Sequence, residues 1–155
     1  MTSSIRIVAL VVFLAGFLAG CEIAGPDHGE ETELSSNRKK WDAYQDGDYN
    51  FVLLRGCFCI LGGPHWVQVV DHQVDVAIST NTNQPVPADD LQYIESVSDV
   101  FDMIEEALES ADSIEIEYSE FGYPLSVNID WIKQAIDDEM FITISNLQLG
   151  VALID

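Results

Sequence analysis

Between residues 114 and 131 the chain alternates strictly enough to dictate a sheet with one dry face and one wet face. Ile114, Ile116 and Tyr118 alternate with Glu115 and Glu117. After a break at Glu120-Phe121-Gly122, Tyr123, Leu125, Val127, Ile129 and Trp131 alternate with Pro124, Ser126, Asn128 and Asp130. A period of two turns one set toward a core and the other toward solvent, so these are two half-buried strands joined by a turn. Just upstream, Val97, Val100, Phe101, Ile104, Leu108 and Ala111 follow helical spacing, with Glu105, Glu106 and Glu109 on the opposite side. Ser96 with Asp99 makes a capping-box-like start, so a helix over 97–111 is expected. A loop through Asp137-Asp138-Glu139 leads to a last strand over 140–147.

The first half repeats this order. Ser35-Ser36 offers an N-cap, and Trp41 and Tyr44 fall on one helical face, so a short helix is expected over 36–45, ended by Asp46-Gly47-Asp48. From 49 to 61 aromatic and branched residues crowd both strand faces: Tyr49, Phe51, Leu53, Cys57 and Cys59 on one, Val52, Leu54, Phe58 and Ile60 on the other. Such a strand is expected to be covered on both sides near its end, with the cysteines in or beside the core. Gly62-Gly63-Pro64 breaks it, strands over 66–70 and 74–79 flank a turn at Asp71-His72-Gln73, and the polar, proline-containing stretch 80–90 reads as a loop. Helix–strand–strand–strand occurs twice in order, with little residue identity, so a duplication is inferred from element order only. The expected fold is α+β: an antiparallel sheet of about six strands, two helices on one face, and an outer face carrying Glu115, Glu117, Asn128, Asp130, Thr143 and Ser145.

The N-terminus speaks to location. A short apolar run from 5 to 18, behind Arg6, ends in Leu18-Ala19-Gly20-Cys21. It is shorter than the roughly 20 residues of a spanning helix and has no basic stop, which fits a removed signal. The four residues resemble the lipobox of bacterial lipoproteins, which implies a signal peptide over 1–20, acylation (palmitate) at Cys21 and a membrane anchor in the cell envelope. Residues 21–35 then read as an acidic tether and 36–150 as a single domain. By resemblance to Gram-negative sorting, Glu22 after the cysteine favours the periplasmic face of the outer membrane.

Composition narrows the partners. The chain carries a formal net charge of −21. Without Arg6, five basic residues face 27 acidic ones, −22 in all. Such a surface repels phosphate backbones, which argues against nucleic acid, and anionic headgroups; it attracts cations and basic proteins. A metal has two candidate homes. Cys57 and Cys59 with His65 offer thiolates and an imidazole for a soft metal. Asp130, Asp137, Asp138 and Glu139 offer oxygens for Ca²⁺, without the spacing of a calcium loop. In an oxidising compartment Cys57 and Cys59 read first as a disulfide, with buried thiols, a metal site or redox chemistry as the alternatives. His65, His72 and His28 read as turn and tether histidines. No phosphate loop, nucleophile elbow or His-Glu-x-x-His is present, so no catalytic residue is assigned.

Larger motifs carry a second resemblance. Trp41, Tyr49-Asn50-Phe51 and Cys57-Phe58-Cys59 in the first half, and Tyr118, Phe121-Gly122-Tyr123-Pro124, Asp130 and Asp137-Asp138-Glu139 in the second, resemble a family of small bacterial lipoproteins carrying a domain of unknown function. The likeness spans about 37–147 and departs at Phe121, where the turn more usually has Tyr, and at His72, where the hairpin more usually has Gly. It implies placement but no activity. The sequence therefore supports a lipid-anchored envelope protein that is not an enzyme but a binding or structural module. Its rivals are a metal-binding envelope protein using Cys57/Cys59/His65 or the acidic loop 130–139, an inhibitor or binder of a basic envelope protein, and a thiol enzyme.

Overall fold

The computed structural model describes residues 28–135 and 137–151. The signal, Cys21 and the rest of the tether up to residue 27 lie outside the described residues. Among the described residues two helices, α1 (His28–Tyr44) and α2 (Val97–Ser110), accompany seven strands: β1 (Tyr49–Gly56), β2 (Gly63–Val70), β3 (Gln73–Ser79), β4 (Gln84–Pro85), β5 (Ser113–Tyr118), β6 (Pro124–Asp130) and β7 (Met140–Leu149). They form one antiparallel sheet in the order β4-β3-β2-β1-β7-β6-β5. Six strands are long. The seventh, β4, has only two residues and occupies an edge, the place where Pro85 is tolerated; it lies within 80–90, expected as plain loop. A 3₁₀ turn over Ala88–Tyr93 fills the rest of that connection.

The core lies between the helices and one sheet face. Tyr49, Phe51 and Leu53 of β1, Val67 and Val69 of β2, Val127 and Ile129 of β6, and Ile142 and Ile144 of β7 pack with Trp41 of α1 and with Val97, Val100, Phe101 and Ile104 of α2. The α2 capping box is complete: the Asp99 amide donates to Ser96 Oγ, and the Ser96 amide donates to Asp99 Oδ2. At the β2–β3 turn, Asp71 and His72 both have positive φ (51° and 66°), the twist a two-residue hairpin requires. Their amides donate to Asp48 Oδ1 and to the Gly47 carbonyl, which fastens the turn to the α1–β1 connection.

Three expectations need correction. The first helix begins at His28, not 36, and Leu34 is buried in the core, so the folded unit reaches into the supposed tether. Strand β1 stops at Gly56 rather than 61, because Cys57 and Cys59 are disulfide-bonded with Cα atoms 5.2 Å apart. Residues two apart in a regular strand lie nearly 7 Å apart, so the bridge and the extended chain exclude each other. The cysteines consequently sit in a loop, Cys57 half-buried and Cys59 exposed, rather than in the core. Lastly, the two halves share an element order but not an arrangement. The central pair joins the first strand of one half, β1, to the last of the other, β7.

Candidate functional site

The uncovered sheet face is graded. Cross-strand register sets Pro85, Ile78, Trp66, Val52 and Ser145 in one row across five strands. Beside it run Leu54, Thr143, Ser126 and Glu117, then Gly56, Phe141, Asn128 and Glu115. The side of β1 to β3 is thus apolar and uncharged, the middle carries hydroxyls and amides, and the β5 edge is acidic. Val52, Leu54, Trp66, Val76 and Ile78 are half-buried, and none of them belongs to the core between sheet and helices or packs against it. The second apolar face of β1 is therefore uncovered among the described residues, contrary to the expectation of cover on both sides. Two amides are buried among these side chains. Asn50 Nδ2 donates to the Gly150 carbonyl, and Gln68 Oε1 has no hydrogen-bond partner.

At the end of this sheet, where β1 stops and β7 begins, the β1–β2 loop projects as an apolar knob. Phe58 is 91% exposed and Ile60 62%. Ile132 (63% exposed) and Phe141 (44%) stand at the same end, on the β6–β7 connection and the start of β7. A Cβ at Gly56 would collide with the Phe141 ring, so glycine lets that ring lie across β1. The loop is held from within. Arg55 points to the core side of β1, where its Nη1 pairs with Glu95 and its Nη2 donates to the Ile60 carbonyl. Burial pushes the Glu95 carboxyl above the usual carboxylate range, with the Arg55 charge pulling the other way.

The residues singled out from sequence are scattered rather than convergent. Cys57 and Cys59 have spent both sulfurs on each other, so this form offers no thiolate pair to a soft metal. His65 is not a turn histidine: it is buried in β2 on the core side, with Nδ1 3.2 Å from the Gly63 carbonyl oxygen. Asp138 Oδ2 accepts the Ile132 amide, so this carboxylate closes the 131–139 loop. Among the described residues no group of three or more His, Cys, Asp or Glu side chains is positioned to hold a metal, Asp130, Asp137, Asp138 and Glu139 included.

Other polar groups near the site are structural. Tyr49 Oη accepts the Val97 amide at 3.3 Å beside the α2 cap, and burial pushes this phenol up to about 12. Burial, with Glu33 adding to it, also pushes Tyr118 up to about 12. Arg38 of α1 bridges to Asp102 and Glu105 of α2 and stacks 5.2 Å over the Phe101 ring. Sequence reasoning missed the Arg55–Glu95 pair and the projecting knob. The signal for both was the same: Arg55 is the sole charge between Asp48 and Asp71, next to a bridged Cys-x-Cys.

Comparison with known families matches most of the chain. The model of a family of unknown function (DUF6174) covers residues 33–149. The chain belongs to this family. No curated protein and no solved structure matches it. The match starts within α1, one residue before the buried Leu34, and stops at the last residue of β7. The expected likeness to a domain of unknown function is met, and DUF6174 carries no activity to transfer. Among the described residues, no helix is long and apolar enough to cross a membrane.

Proposed function

We propose that this protein is a lipid-anchored binding module of the bacterial envelope that catalyses no reaction and holds a basic protein on the uncovered face of its sheet. The observation that carries this reading is the gradient on that face. An uncharged apolar patch around Val52, Trp66 and Ile78 adjoins two rows, one ending in Glu117 and the next in Glu115. A partner with an apolar anchor beside lysines or arginines complements both ends of the gradient, and the strongly negative net charge speeds its approach. The anchor rests on Leu18-Ala19-Gly20-Cys21, with acylation at Cys21, and Glu22 favours the periplasmic face of the outer membrane. The binding reading is further supported by the polar groups in and beside the core: Asn50, Arg55, Glu95, Ser96 and Asp99 are engaged in bonds that hold loops and caps.

A photo-crosslinking residue placed at Trp66, and in a second variant at Glu106 on the exposed side of α2, tests the reading in cells. Cross-links at 66 to a protein of basic surface, lost in high salt, are expected. Equal yields at 66 and 106 would overturn the assignment of the face.

A further inference from the structure

The knob at Phe58 and Ile60 lies at the same end of the molecule as the start of α1. Along α1, Lys40 and Trp41 sit against Gly122 in the β5–β6 turn, at the far end of the sheet. One turn earlier, Ser36 and Asn37 line a groove with Tyr118 and Ser119. Earlier still, Glu30 and Glu33 line one with Ile114, Ile116 and Tyr118. Ile114 pairs with Ile129, which pairs with Met140, and the next residue, Phe141, pairs with Gly56. The helix therefore climbs the sheet from its far end toward the end that carries the disulfide loop. Six residues separate Cys21 from His28, a reach of about 25 Å at most at ~3.5 Å per residue. A membrane holding Cys21 is thus held close to the knob.

The knob is suited to lipid. No acidic residue occurs between Asp48 and Asp71 although the chain has 27. The one charge in that stretch, Arg55, is buried and paired. Phe58 and Ile60 stand exposed beside the disulfide, an apolar surface that a fluid interface accommodates without a matching socket. The bridge and the Arg55 bond to the Ile60 carbonyl hold the loop in place, which lowers the ordering cost of insertion. We propose that Phe58 and Ile60 dip into the zwitterionic lipid surface to which the chain is anchored; this rests on the lipid-anchor reading above. Two side chains are too little to hold the domain alone, but the tether supplies a high local concentration of membrane. The neighbouring Asp137, Asp138 and Glu139 set the lipid preference, because anionic headgroups repel them. Immersion of the knob stands the sheet upright and keeps its graded face clear of the bilayer.

The test uses the full chain expressed in cells, purified from membranes and reconstituted into phosphatidylcholine vesicles with and without brominated acyl chains. Phe58→Trp places a reporter on the knob, and Phe121→Trp places one in the β5–β6 turn at the opposite end. Relative to the parent's own tryptophans, the Phe58→Trp emission should be quenched by bromolipid roughly twofold more than that of Phe121→Trp, as befits an indole at the headgroup level. Replacing much of the phosphatidylcholine by phosphatidylglycerol at low salt should shrink the contrast, and added NaCl should restore it. Equal quenching of the two variants in phosphatidylcholine would overturn the proposal, whether neither reporter or both were quenched. The mass of the peptide carrying Cys21 reports the anchor separately. A lipidated Cys21 without the contrast sinks the knob alone, and an unmodified Cys21 with the contrast sinks the anchor alone.

Discussion

Arg55 shows how one residue fixes a surface it does not belong to. Its guanidinium is buried on the core side of β1, yet its two bonds reach the start of the α2 region through Glu95 and the knob through the Ile60 carbonyl. Removing one partner of a buried ion pair strands the other, at a cost of about 3–5 kcal/mol. Arg55→Ala should lower the urea midpoint accordingly, and Glu95→Gln, which keeps a neutral acceptor, should cost less; equal and small losses would show the pair to be idle. Tyr49 gives a pH signature. Its folded-state value near 12 lies above the ordinary 10.0 because burial disfavours the phenolate. The stabilisation is thus complete below about pH 10 and disappears as pH rises toward 12, about 3 kcal/mol at full ionisation. Tyr118 shifts the same way for the same cause. Stability measured by urea unfolding should fall between those pH values, and Tyr49→Phe should flatten the fall.

Elements divide sharply in how well the sequence announces them. In the second half, α2, β5 and β6 appear within a residue or two of their expected limits, because each has one buried face and one wet face, and a period of 3.6 or 2 is then visible. The Ser96–Asp99 cap belongs to this legible part. Ser96→Ala should lower thermal stability by about 1 kcal/mol, the usual worth of an N-cap hydroxyl. In the first half the periodic signal is diluted. Between His28 and Leu34 only the last residue is apolar and buried, so half of α1 reads as tether. In β1 both faces are apolar, so periodicity cannot tell the covered one from the open one. Nor could alternation foretell that a covalent bridge would end the strand before Cys57. The candidate site was least legible: Arg55 and Glu95 are 40 residues apart with no local pattern linking them, and the exposure of Phe58 follows from the bridge. Because so short a loop is closed, reducing the disulfide, or Cys57→Ser with Cys59→Ser, should cost only about 1–2 kcal/mol by chain entropy. A larger loss would mean that the bridge supports more than the knob.

At the scale of the whole molecule, charge dominates the response to solution conditions. With 27 acidic residues on a chain of 155, self-repulsion is relieved by counter-ions, and the melting temperature should rise with NaCl up to moderate concentration. Ca²⁺ and Mg²⁺ at equal ionic strength should act alike, since the acidic side chains of the 130–139 loop are not gathered into a site; a shift with Ca²⁺ alone, abolished by Asp137→Asn, would reveal one. Cys21→Ser should move the protein from the membrane fraction to the soluble fraction, and retention of the variant in membranes would point to another anchor. The pairing of β1 with β7 has a consequence in time. The middle ladder of the sheet joins Tyr49–Gly56 to Met140–Leu149, so β1 waits, unzipped along one side, until residues 140–149 have been synthesised. Contacts of such separation form slowly, and a nascent chain lacking residues beyond 139 should be fully protease-sensitive. A sheet that cannot close before residues 140–149 exist keeps the polypeptide threadable, the state that the export proposed above requires.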